Sequence, residues 1–519
     1  MSQAIRHLSD LLKHVTDAEV VRYGDDPVIE GVTCDSRAVC PGFVFVAIPG
    51  AITDGHRYID DAIRRGAVAI VCERDQNRDD VAEIHVPFSR RALAELSRAF
   101  YGWPDRDLFM IGVTATNGKT TTTSMIEHIF EDAGIPTAVV GSVAYRHGDR
   151  TVKSTLTTPE STDLHAMLAD WRDAMIEVVS MEVSSIAEAQ CRVYGIDYDA
   201  VAFLNITPDH MPDHGSFEAY FEAKSQLING VRPGVPAVLN IDDPHVRTLV
   251  ETTPGVPITM STDPASGADV FADHIELRKG VPSFDLVIRT PFPTRTGRAM
   301  PGSAHIELSV PGRHSVYNAM AAYIISTYYN ISSENIIASL KTFAGVERRL
   351  QIIYEGDFTM IDDHISDEDN TRKMLEALPA IAEGAPVRIV YAIRGNRGVR
   401  VNREVIAQFK EHRDHVNWAS FIVTSSEDVA RQRDIVHDDE RAAVLDDLEA
   451  AGYDITYMPN LGDAIERTLD GVEPGDVMVL AGSHNMDRGA RIALNALVSR
   501  REDLDRDAIL AVLDGRIMG

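Results

Sequence analysis

The chain has 519 residues, of which 44% are hydrophobic and 25% charged, and its 79 acidic residues against 50 basic ones give a formal net charge of −29. This length exceeds what one hydrophobic core can fill and predicts about three domains. So acidic a chain repels nucleic-acid backbones, which argues against DNA or RNA partners. No apolar run approaches the roughly 18 residues of a membrane span, so we expect a soluble, cytoplasmic protein that contacts no membrane.

The cysteines and the N-terminus give no sign of an extracellular protein. Cys34, Cys40, Cys72 and Cys191 are spaced for neither a disulfide framework nor a zinc site. We interpret them as small buried hydrophobic residues or free thiols. Residues 1–15 follow an amphipathic helix pattern that lacks the apolar core of a signal peptide.

The first hundred residues alternate short β-branched runs with helical patterns. Residues 43–50 and 67–73 are predicted strands, whereas residues 58–66 and 90–102 are predicted helices. The segment Trp103-Pro104-Asp105 is interpreted as a linker. The first domain is therefore predicted to span residues 1–105.

A second alternation begins at Leu108 and predicts a parallel sheet with helices on both faces. Between about 256 and 312, shorter Gly- and Pro-rich pieces predict antiparallel strands added to that sheet, and a helix is predicted at 315–329. After Gly345 a third alternation predicts a third domain. The chain is thus predicted to be an α/β protein with domains at 1–105, 106–342 and 343–519.

Residues 110–123, MIGVTATNGKTTTT, are typical of a strand that runs into a phosphate-binding turn and a helix. Backbone amides of such a turn and the N-terminus of the helix bind polyphosphate. Lys119 would reach the outer phosphates, and the Thr120 hydroxyl would hold Mg2+. The general P-loop pattern is met imperfectly, because Val113 stands where that pattern has a small residue. A purely structural turn is the alternative.

Three further polar clusters follow within the second domain. The strand pattern at 178–185 ends in Glu182, which would lie at the ligand edge of a parallel sheet and could hold a metal, or could simply cap a helix. Residues 205–228 are rich in ligand-type side chains and lead into a helix that carries Lys224; these ligand-type residues are Asp209, His210 and His214. The third cluster, TLTTPE at 155–160, is a hydroxyl-rich loop.

These motifs, in this order, resemble the Mur ligase family, and within it the members that add the third residue of the peptidoglycan stem peptide. Residues 34–70 match the family's DSR, PG and DGH pattern, and GVTATNGKTT at 112–121 matches its phosphate loop, with Ala115 for the middle glycine. The remaining elements of the family pattern follow in the same order: TTP, MEVSS, DH, a lysine, and elements like GRHSVYN and RR-Q. The resemblance covers nearly the whole chain. It implies an N-terminal α/β uridine-nucleotide domain, a central P-loop ATPase sheet and a C-terminal Rossmann-like domain.

The resemblance also implies roles for individual residues. Thr120 and Glu182 would bind one Mg2+, and His210 and a carbamylated Lys224 would bind a second, with Lys119, Lys224 and His210 as catalytic residues. A lysine that has captured CO2 is an anionic oxygen ligand, which an ammonium cannot be. ATP would contact Gly112, Thr116, Asn117, Gly118, Lys119, Thr120, Thr121, Asn318, Arg349 and Asp363 (or Asp362 on the ribose side). The uridine-linked substrate would contact Ser36, Thr157, Thr158, Ser184 and Arg192.

The reaction implied by the resemblance is an ATP-dependent amide ligation in peptidoglycan precursor synthesis. ATP would phosphorylate the γ-carboxylate of the D-glutamate in UDP-N-acetylmuramoyl-L-alanyl-D-glutamate, and the amino group of an incoming amino acid would attack the acyl phosphate. The implied partners are that nucleotide-linked dipeptide, ATP, two Mg2+ ions and an amino acid. We expect the protein to act as a monomer.

The departures from the family pattern gather where the amino acid should bind. DDHISDED at 362–369 replaces the DYAHTP loop, VTSSEDVARQ at 423–432 replaces the DNPR signature, and AGSHNMDR at 481–488 replaces AGKGHE. Without the DNPR arginine, diaminopimelate is disfavoured. An acidic pocket from Glu427, Asp428 or Asp487 would instead suit lysine or ornithine. Arg397 would contact the α-carboxylate of the amino acid, or is a surface arginine at a strand end.

Two alternatives stay open at the level of the sequence. The chain could be a paralogue that joins a different amino acid or acceptor in another pathway, which the altered C-terminal loops would allow. It could also be a degenerate member that binds nucleotide and partners without catalysis. Retention of Lys119, Thr120, Glu182, His210 and Lys224 argues against the second alternative.

Overall fold

Three main sheets follow one another along the chain, and each is built from one continuous stretch of sequence. The computed structural model describes residues 7–22, 26–50, 53–208, 211–501, 503–514 and 516–517. Within these ranges, no helix is both long enough and apolar enough to cross a membrane. The α/β class and the succession of three alternating regions are as the sequence predicts.

The N-terminal sheet has the order β1-β5-β4-β3-β2. All neighbours are parallel except β1, which runs antiparallel to β5. The predicted linker is ordered: Asp105 is buried and pairs with Arg98 at 2.6 Å. The elements are β1 (Glu19–Arg22), β2 (Gly31–Thr33), β3 (Phe43–Val46), β4 (Ala69–Cys72), β5 (Ala82–His85), α1 (Leu8–Leu12), α2 (Ile59–Arg64) and α3 (Ser89–Phe100).

The central sheet contains eleven strands. They are β6 (Phe109–Thr114), β7 (Thr137–Val140), β8 (Ala144–His147), β9 (Arg150–Lys153), β10 (Val178–Glu182), β11 (Ala200–Phe203), β12 (Pro236–Asn240), β13 (Val256–Ser261), β14 (Val270–Arg278), β15 (Val281–Ile288) and, after the small pair β16 (Phe292–Pro293) and β17 (Arg298–Ala299), β18 (Gly302–Glu307). Their order is β18-β15-β14-β13-β12-β11-β6-β10-β7-β8-β9. The antiparallel pairs β14–β15 and β15–β18 confirm the predicted antiparallel extension, whereas β13, at the start of the predicted stretch, is parallel to both of its neighbours.

Helices cover both faces of the central sheet, as the strand–helix alternation predicts. The helices of this region are α4 (Lys119–Asp132), α5 (Ser161–Asp173), α6 (Ser185–Ala189), α7 (Met211–His214), α8 (Phe217–Asn229), α9 (Pro244–Thr248), α10 (His314–Tyr329) and α11 (Ser333–Thr342). One core packs α4, α10 and α11 against the sheet, and the other packs α5 and α8 against its opposite face. Four apolar side chains of α4 are fully buried: Met125, Ile126, Ile129 and Phe130.

The C-terminal sheet has six strands in the order β19-β20-β24-β21-β22-β23. Only β19 is antiparallel to its neighbour, so five strand ends share one edge. The elements are β19 (Gln351–Glu355), β20 (Thr359–His364), β21 (Val387–Ala392), β22 (Trp418–Thr424), β23 (Ile455–Met458), β24 (Val477–Gly482), α12 (Glu368–Ala382), α13 (Val399–Glu411), α14 (Asp438–Ala450), α15 (Leu461–Leu469), α16 (Gly489–Arg500) and α17 (Arg506–Leu510).

Candidate active site

The parallel register of three central strands gathers the predicted site at one edge of the sheet. Strand β6 pairs with β10 on one side, where Val113 lies opposite Glu182, and with β11 on the other, where Thr114 lies opposite Phe203. The turn after β6, the carboxylate at the end of β10 and the segment after β11 are therefore neighbours. Ligands of open α/β sheets bind at this carboxyl edge.

The phosphate turn is held in shape by a residue that the sequence analysis did not single out. Asn205 lies just after β11, and its side-chain amide accepts from Asn117 N at 3.0 Å and donates to Asn117 O at 2.8 Å. The backbone carbonyl of Asn205 also accepts from Thr116 N. Gly118 ends the turn with φ +97°, and a Cβ there would lie 2.4 Å from Asn318 Oδ1. Glycine is thus required both by conformation and by contact.

Two lysines converge on the carbonyl of Ala115. Lys119 Nζ donates to Ala115 O at 2.8 Å and to Thr116 O at 3.1 Å, and Lys224 Nζ donates to the same Ala115 O at 2.7 Å. Lys224 is only 2% exposed, and its ammonium lies 5.0 Å from the centre of the Tyr220 ring. Helices α4 and α8 therefore bring both predicted catalytic lysines to the phosphate turn.

Glu182 is the centre of a group of oxygen atoms that suits a hard cation. Its fully buried carboxylate accepts from Ser142 N at 2.7 Å and from Ser142 Oγ at 3.1 Å, and the Thr157 hydroxyl lies 3.1 Å from Ser142 Oγ. Thr120 lines the same cleft. Carboxylate and hydroxyl oxygens are the ligands that Mg2+ uses, so the residues present fit this ion.

The second predicted metal site is only partly described. Asp209 and His210 lie outside the described residues. His214, at the end of α7, has its Nε2 3.0 Å from Ser185 Oγ.

The predicted ATP contacts outside the turn lie on α10 and near the start of the C-terminal sheet. Asn318 is buried, and its Nδ2 has no hydrogen-bond partner among the described residues. Arg349 and Asp363 line the cleft. Burial raises the pKa of Asp363 to about 6, although Leu350 N donates to it at 2.8 Å. Asp362 points the other way along β20, because successive strand residues face opposite sides.

One cleft of about 740 Å³ contains most of the predicted contacts. Gly112 is not among its lining residues, because it lies inside β6, where a Cβ would come within 2.8 Å of the Tyr198 ring. The glycine therefore allows close packing within the domain. The predicted residues that line the cleft are Thr116, Asn117, Gly118, Lys119, Thr120, Thr121, Thr157, Glu182, Ser184, Arg192, Asn318, Arg349 and Asp363.

The residues expected to hold the uridine-linked substrate form a hydrogen-bonded group beside Glu182. Thr158 is fully buried and donates to Glu182 O at 2.8 Å, and Ser184 caps α6 by accepting from Ala187 N. Arg192 donates to Thr158 O at 3.0 Å and pairs with Glu160 at 3.0 Å.

A chain of charges joins this group to the N-terminal sheet. Glu160 also lies 3.6 Å from Arg90, which belongs to α3 of the N-terminal region. Ser36 is buried in a short 3-10 helix of the same region. The N-terminal and central regions thus meet beside the hydroxyl-rich loop.

The residues predicted for the amino acid do not line the cleft. The Arg397 side chain is exposed, and its backbone N donates to Glu440 at 2.8 Å. Glu427 is exposed, and Asp428 accepts from two backbone amides at the start of α15. Asp487 is buried against Arg348 and accepts from it. Burial alone would raise the pKa of Asp487, but His484 and Arg348 hold it below its ordinary value.

Two arginines that were not predicted hold the strand ends of the C-terminal sheet in place. Arg348 is 1% exposed and donates to Asp362, Asp487 and the carbonyls of Gly482 and Ser483. Arg394, at the end of β21, donates to the carbonyl of Ser366, which lines the cleft.

A further group with metal-ligand chemistry lies in the N-terminal sheet. Ligand atoms of Cys72, Glu83 and His85 lie within 4.8 Å of one another. Glu83 already accepts from the backbone amides of Gln76 and Arg78 and contacts His85 Nε2 at 2.8 Å. Burial raises the pKa of Cys72 to about 12, which keeps the thiol protonated. These contacts explain the group as an anchor for the loop between β4 and β5.

Comparison with known proteins gives matches along the chain. Three family descriptions match it: "Mur ligase family, catalytic domain" at residues 28–101, "Mur ligase middle domain" at 113–326 and "Mur ligase, glutamate ligase domain" at 348–484.

Two similar curated proteins are UDP-N-acetylmuramoyl-L-alanyl-D-glutamate–2,6-diaminopimelate ligases. The one from Geobacillus thermodenitrificans is 36% identical over 475 residues, which is 89% of this chain and 91% of that protein. The one from Chlorobaculum tepidum is 33% identical over 494 residues, covering 92% of each.

Solved structures show the same fold over more than nine tenths of the chain. A solved ligase of that name superposes with a TM-score of 0.69 at 21% identity and covers 95% of this chain and 99% of its own. The MurF ligase from Thermotoga maritima in complex with ADP superposes with a TM-score of 0.58 at 18% identity, covering 91% and 98%.

Proposed function

Because this chain belongs to the Mur ligase family of ATP-dependent enzymes that form amide bonds, we propose that it joins an amino acid to the D-glutamate of UDP-N-acetylmuramoyl-L-alanyl-D-glutamate in the cytoplasm. The observation that carries the proposal is the meeting of Lys119, Lys224 and Glu182 at one strand edge. Lys119 suits the phosphates of a nucleoside triphosphate there, and the buried carboxylate of Glu182 suits its metal. We propose that the first domain ends at residue 105 and the second at residue 342.

In the proposed reaction, the phosphate turn binds the triphosphate of ATP. The amides of the turn and the start of α4 supply hydrogen bonds, and Lys119 leaves its carbonyl partners to contact the outer phosphates. Asn318 and Arg349 would hold the adenosine part, with Asp363 on the ribose. Mg2+ bound by Thr120 and Glu182 would neutralise charge on the transferred phosphoryl group.

The acceptor carboxylate would lie beside the hydroxyl-rich loop. Thr157, Ser184 and Arg192 would hold the sugar–peptide portion, and Ser36 the uridine end, with Thr158 fixing the loop to the end of β10. The γ-carboxylate of D-glutamate would take the phosphoryl group and become an acyl phosphate. The amino group of the third substrate would then attack that carbonyl and release phosphate.

We further propose that Lys224 is carbamylated and, with His210, binds a second metal ion. The support is its setting: a 2% exposed lysine that shares its acceptor with the ammonium of Lys119. Burial disfavours a charged ammonium, and a neutral amine is the form that attacks CO2. The resulting carbamate offers oxygen ligands where the amine offered none.

We propose L-lysine or L-ornithine as the amino acid, in preference to meso-diaminopimelate. The support is the sequence of the β22–α14 connection, which lacks the DNPR motif. Asp487, after β24, already has partners for both carboxylate oxygens, Arg348 on one and His484 at 3.6 Å on the other, so the proposal rests on the sequence of the connection. The similar curated proteins are named for diaminopimelate, which makes this compound the necessary comparison.

The test is ATP-dependent phosphate release with the nucleotide-linked dipeptide and each amino acid in turn. The proposal predicts release that requires the dipeptide and is fastest with L-lysine or L-ornithine. Fastest release with meso-diaminopimelate would overturn the amino-acid preference alone. Release that needs a different acceptor would overturn the proposed acceptor.

A further inference from the structure

Helix α12 of the C-terminal region begins directly against the phosphate turn. Asn117 in the turn donates through its side-chain Nδ2 to Asp369 Oδ2 in the first turn of α12. The two residues are 252 positions apart. This hydrogen bond therefore joins the central and C-terminal regions at the point where a nucleotide's phosphates are expected.

The same carboxylate holds two cations of α12. Lys373 Nζ donates to Asp369 Oδ2 at 2.8 Å, and Arg372 donates to Asp369 Oδ1. Arg372 and Lys373 both line the cleft that contains the phosphate turn. Their side chains are 35% and 26% exposed, so both are partly withdrawn from water.

The charged side chains beside the phosphate turn come from the start of α12. Burial lowers the pKa of Lys373, and burial lowers the pKa of the neighbouring His314 to about 4, so His314 is neutral there. Burial would raise the pKa of Asp369, but Lys373 and Arg372 keep it ionised. Glu376 lies 2.9 Å from Arg372 and Asp367 also lines the cleft, so the charges of Arg372 and Lys373 are balanced, and the Asp369 carboxylate contacts the turn through Asn117.

We propose that Lys373 contacts the outermost phosphate of ATP from across the cleft, and that Asp369 holds its ammonium at the phosphate turn until the nucleotide binds. Asp369 Oδ2 marks a position where one anionic oxygen accepts from Asn117 and Lys373 together. A phosphate oxygen at that position meets the same two donors, and Asp369 then turns away with Arg372. This inference rests on the proposed function, because it requires ATP at the turn.

Lys373 thereby adds a cation on the side of the phosphates opposite Lys119. Such a cation stabilises the charge that develops on the transferred phosphoryl group. It also links catalysis to closure, because it reaches the phosphate only when α12 lies on the turn. ADP lacks the outermost phosphate and does not gain this contact.

Nucleotide binding by the full-length protein, measured by calorimetry, tests the inference with a non-hydrolysable ATP analogue and with ADP. Lys373→Met is expected to weaken binding of the ATP analogue about tenfold or more, in line with the strength of a hydrogen bond to a charged group. The same variant should leave the affinity for ADP unchanged. Asp369→Asn is expected to tighten binding of the ATP analogue, because the competing carboxylate is gone. Lys410→Met, an exposed lysine on α13, is the matched control and should change neither.

A double variant separates phosphate contact from simple neutralisation of Asp369. If Lys373 only balances Asp369, the double variant Lys373→Met with Asp369→Asn binds the ATP analogue as tightly as Asp369→Asn alone. Under the proposal, the double variant binds the analogue more weakly than Asp369→Asn alone. Lys373→Arg should retain most of the preference for the ATP analogue, which guards against a folding defect. Equal losses for ADP and the ATP analogue would overturn the inference alone. A wild-type protein that binds neither nucleotide would overturn the proposed function as well.

Discussion

Lys119 on α4 and Lys224 on α8 donate to one carbonyl oxygen, that of Ala115, at 2.8 and 2.7 Å. Two ammonium groups so close repel each other. In the proposed reaction, a triphosphate at the turn would remove the repulsion by drawing Lys119 away, and carbamylation of Lys224 would remove it by replacing one cation with an anion.

The first prediction concerns Lys224. Lys224→Arg keeps a positive charge but cannot form the carbamate, so turnover should fall on the order of 100- to 1,000-fold. Isotope-labelled CO2 should be incorporated at Lys224 in the wild-type protein and not in the variant, as read by mass spectrometry under non-acidic conditions. Lys410→Arg serves as the surface control. Full wild-type activity in CO2-depleted buffer, without any label at Lys224, would be incompatible with the carbamate.

The second prediction concerns Glu182. Glu182→Gln preserves size and leaves an oxygen to accept from Ser142, so the melting temperature should change little. The lost charge should raise the Mg2+ concentration at half-maximal activity by about 10- to 100-fold. A Mg2+ titration of phosphate release measures this. Glu404→Gln, a surface change on α13, is the control and should leave the Mg2+ titration as in the wild type. An unshifted titration curve for Glu182→Gln would exclude Glu182 as a metal ligand.

The third prediction separates two adjacent arginines. Arg348→Met leaves the buried carboxylates of Asp362 and Asp487 without this arginine and should lower the free energy of unfolding by about 3–5 kcal/mol. Arg349→Met, at the cleft, should cost about 0.5 kcal/mol or less and weaken ATP binding instead. Urea denaturation and nucleotide titration of both variants provide the comparison. Similar stability losses for the two variants would contradict the assignment.

The fourth prediction is a pH dependence of ATP binding through Asp363. Its pKa, raised to about 6 by burial, means that the carboxylate is ionised above pH 6 and protonated below it. Ribose hydroxyls donate best to the ionised form. From pH 7 to pH 5 the ionised fraction falls about tenfold, and the ratio of wild-type to Asp363→Asn affinity should fall with it. A ratio that is flat over this range would rule out the ribose contact.

Most of the elements around the site could be predicted because their burial is periodic along the chain. The β6 run, the buried face of α4 and the strand that ends in Glu182 all show local patterns. The hairpin β8–β9 was missed because Arg150–Lys153 is exposed along its length and shows no alternation. Its pairing depends on the sheet edge rather than on its own residues.

Residues that act through distant partners could not be predicted. Arg348 is placed by Asp362 and Asp487, and Asn205 acts through Asn117 in a turn 88 positions away. The sequence identified Gly112 as part of a nucleotide motif, whereas its neighbours in the structure are Tyr198 and Leu227. Asp428 carries the charge expected of a substrate contact, but its carboxylate accepts from two backbone amides at the start of α15. Such outcomes depend on tertiary contacts that spacing does not encode.

The most direct test of the central claim is the fate of a carboxylate oxygen. The D-glutamate γ-carboxylate of the dipeptide substrate is labelled with 18O, and the phosphate released during ligation is examined by mass spectrometry. Transfer of the phosphoryl group to that carboxylate predicts one 18O atom in each phosphate formed and one retained in the amide. Phosphate without the label, released while the amide bond forms, would contradict the acyl-phosphate route and the account of this site.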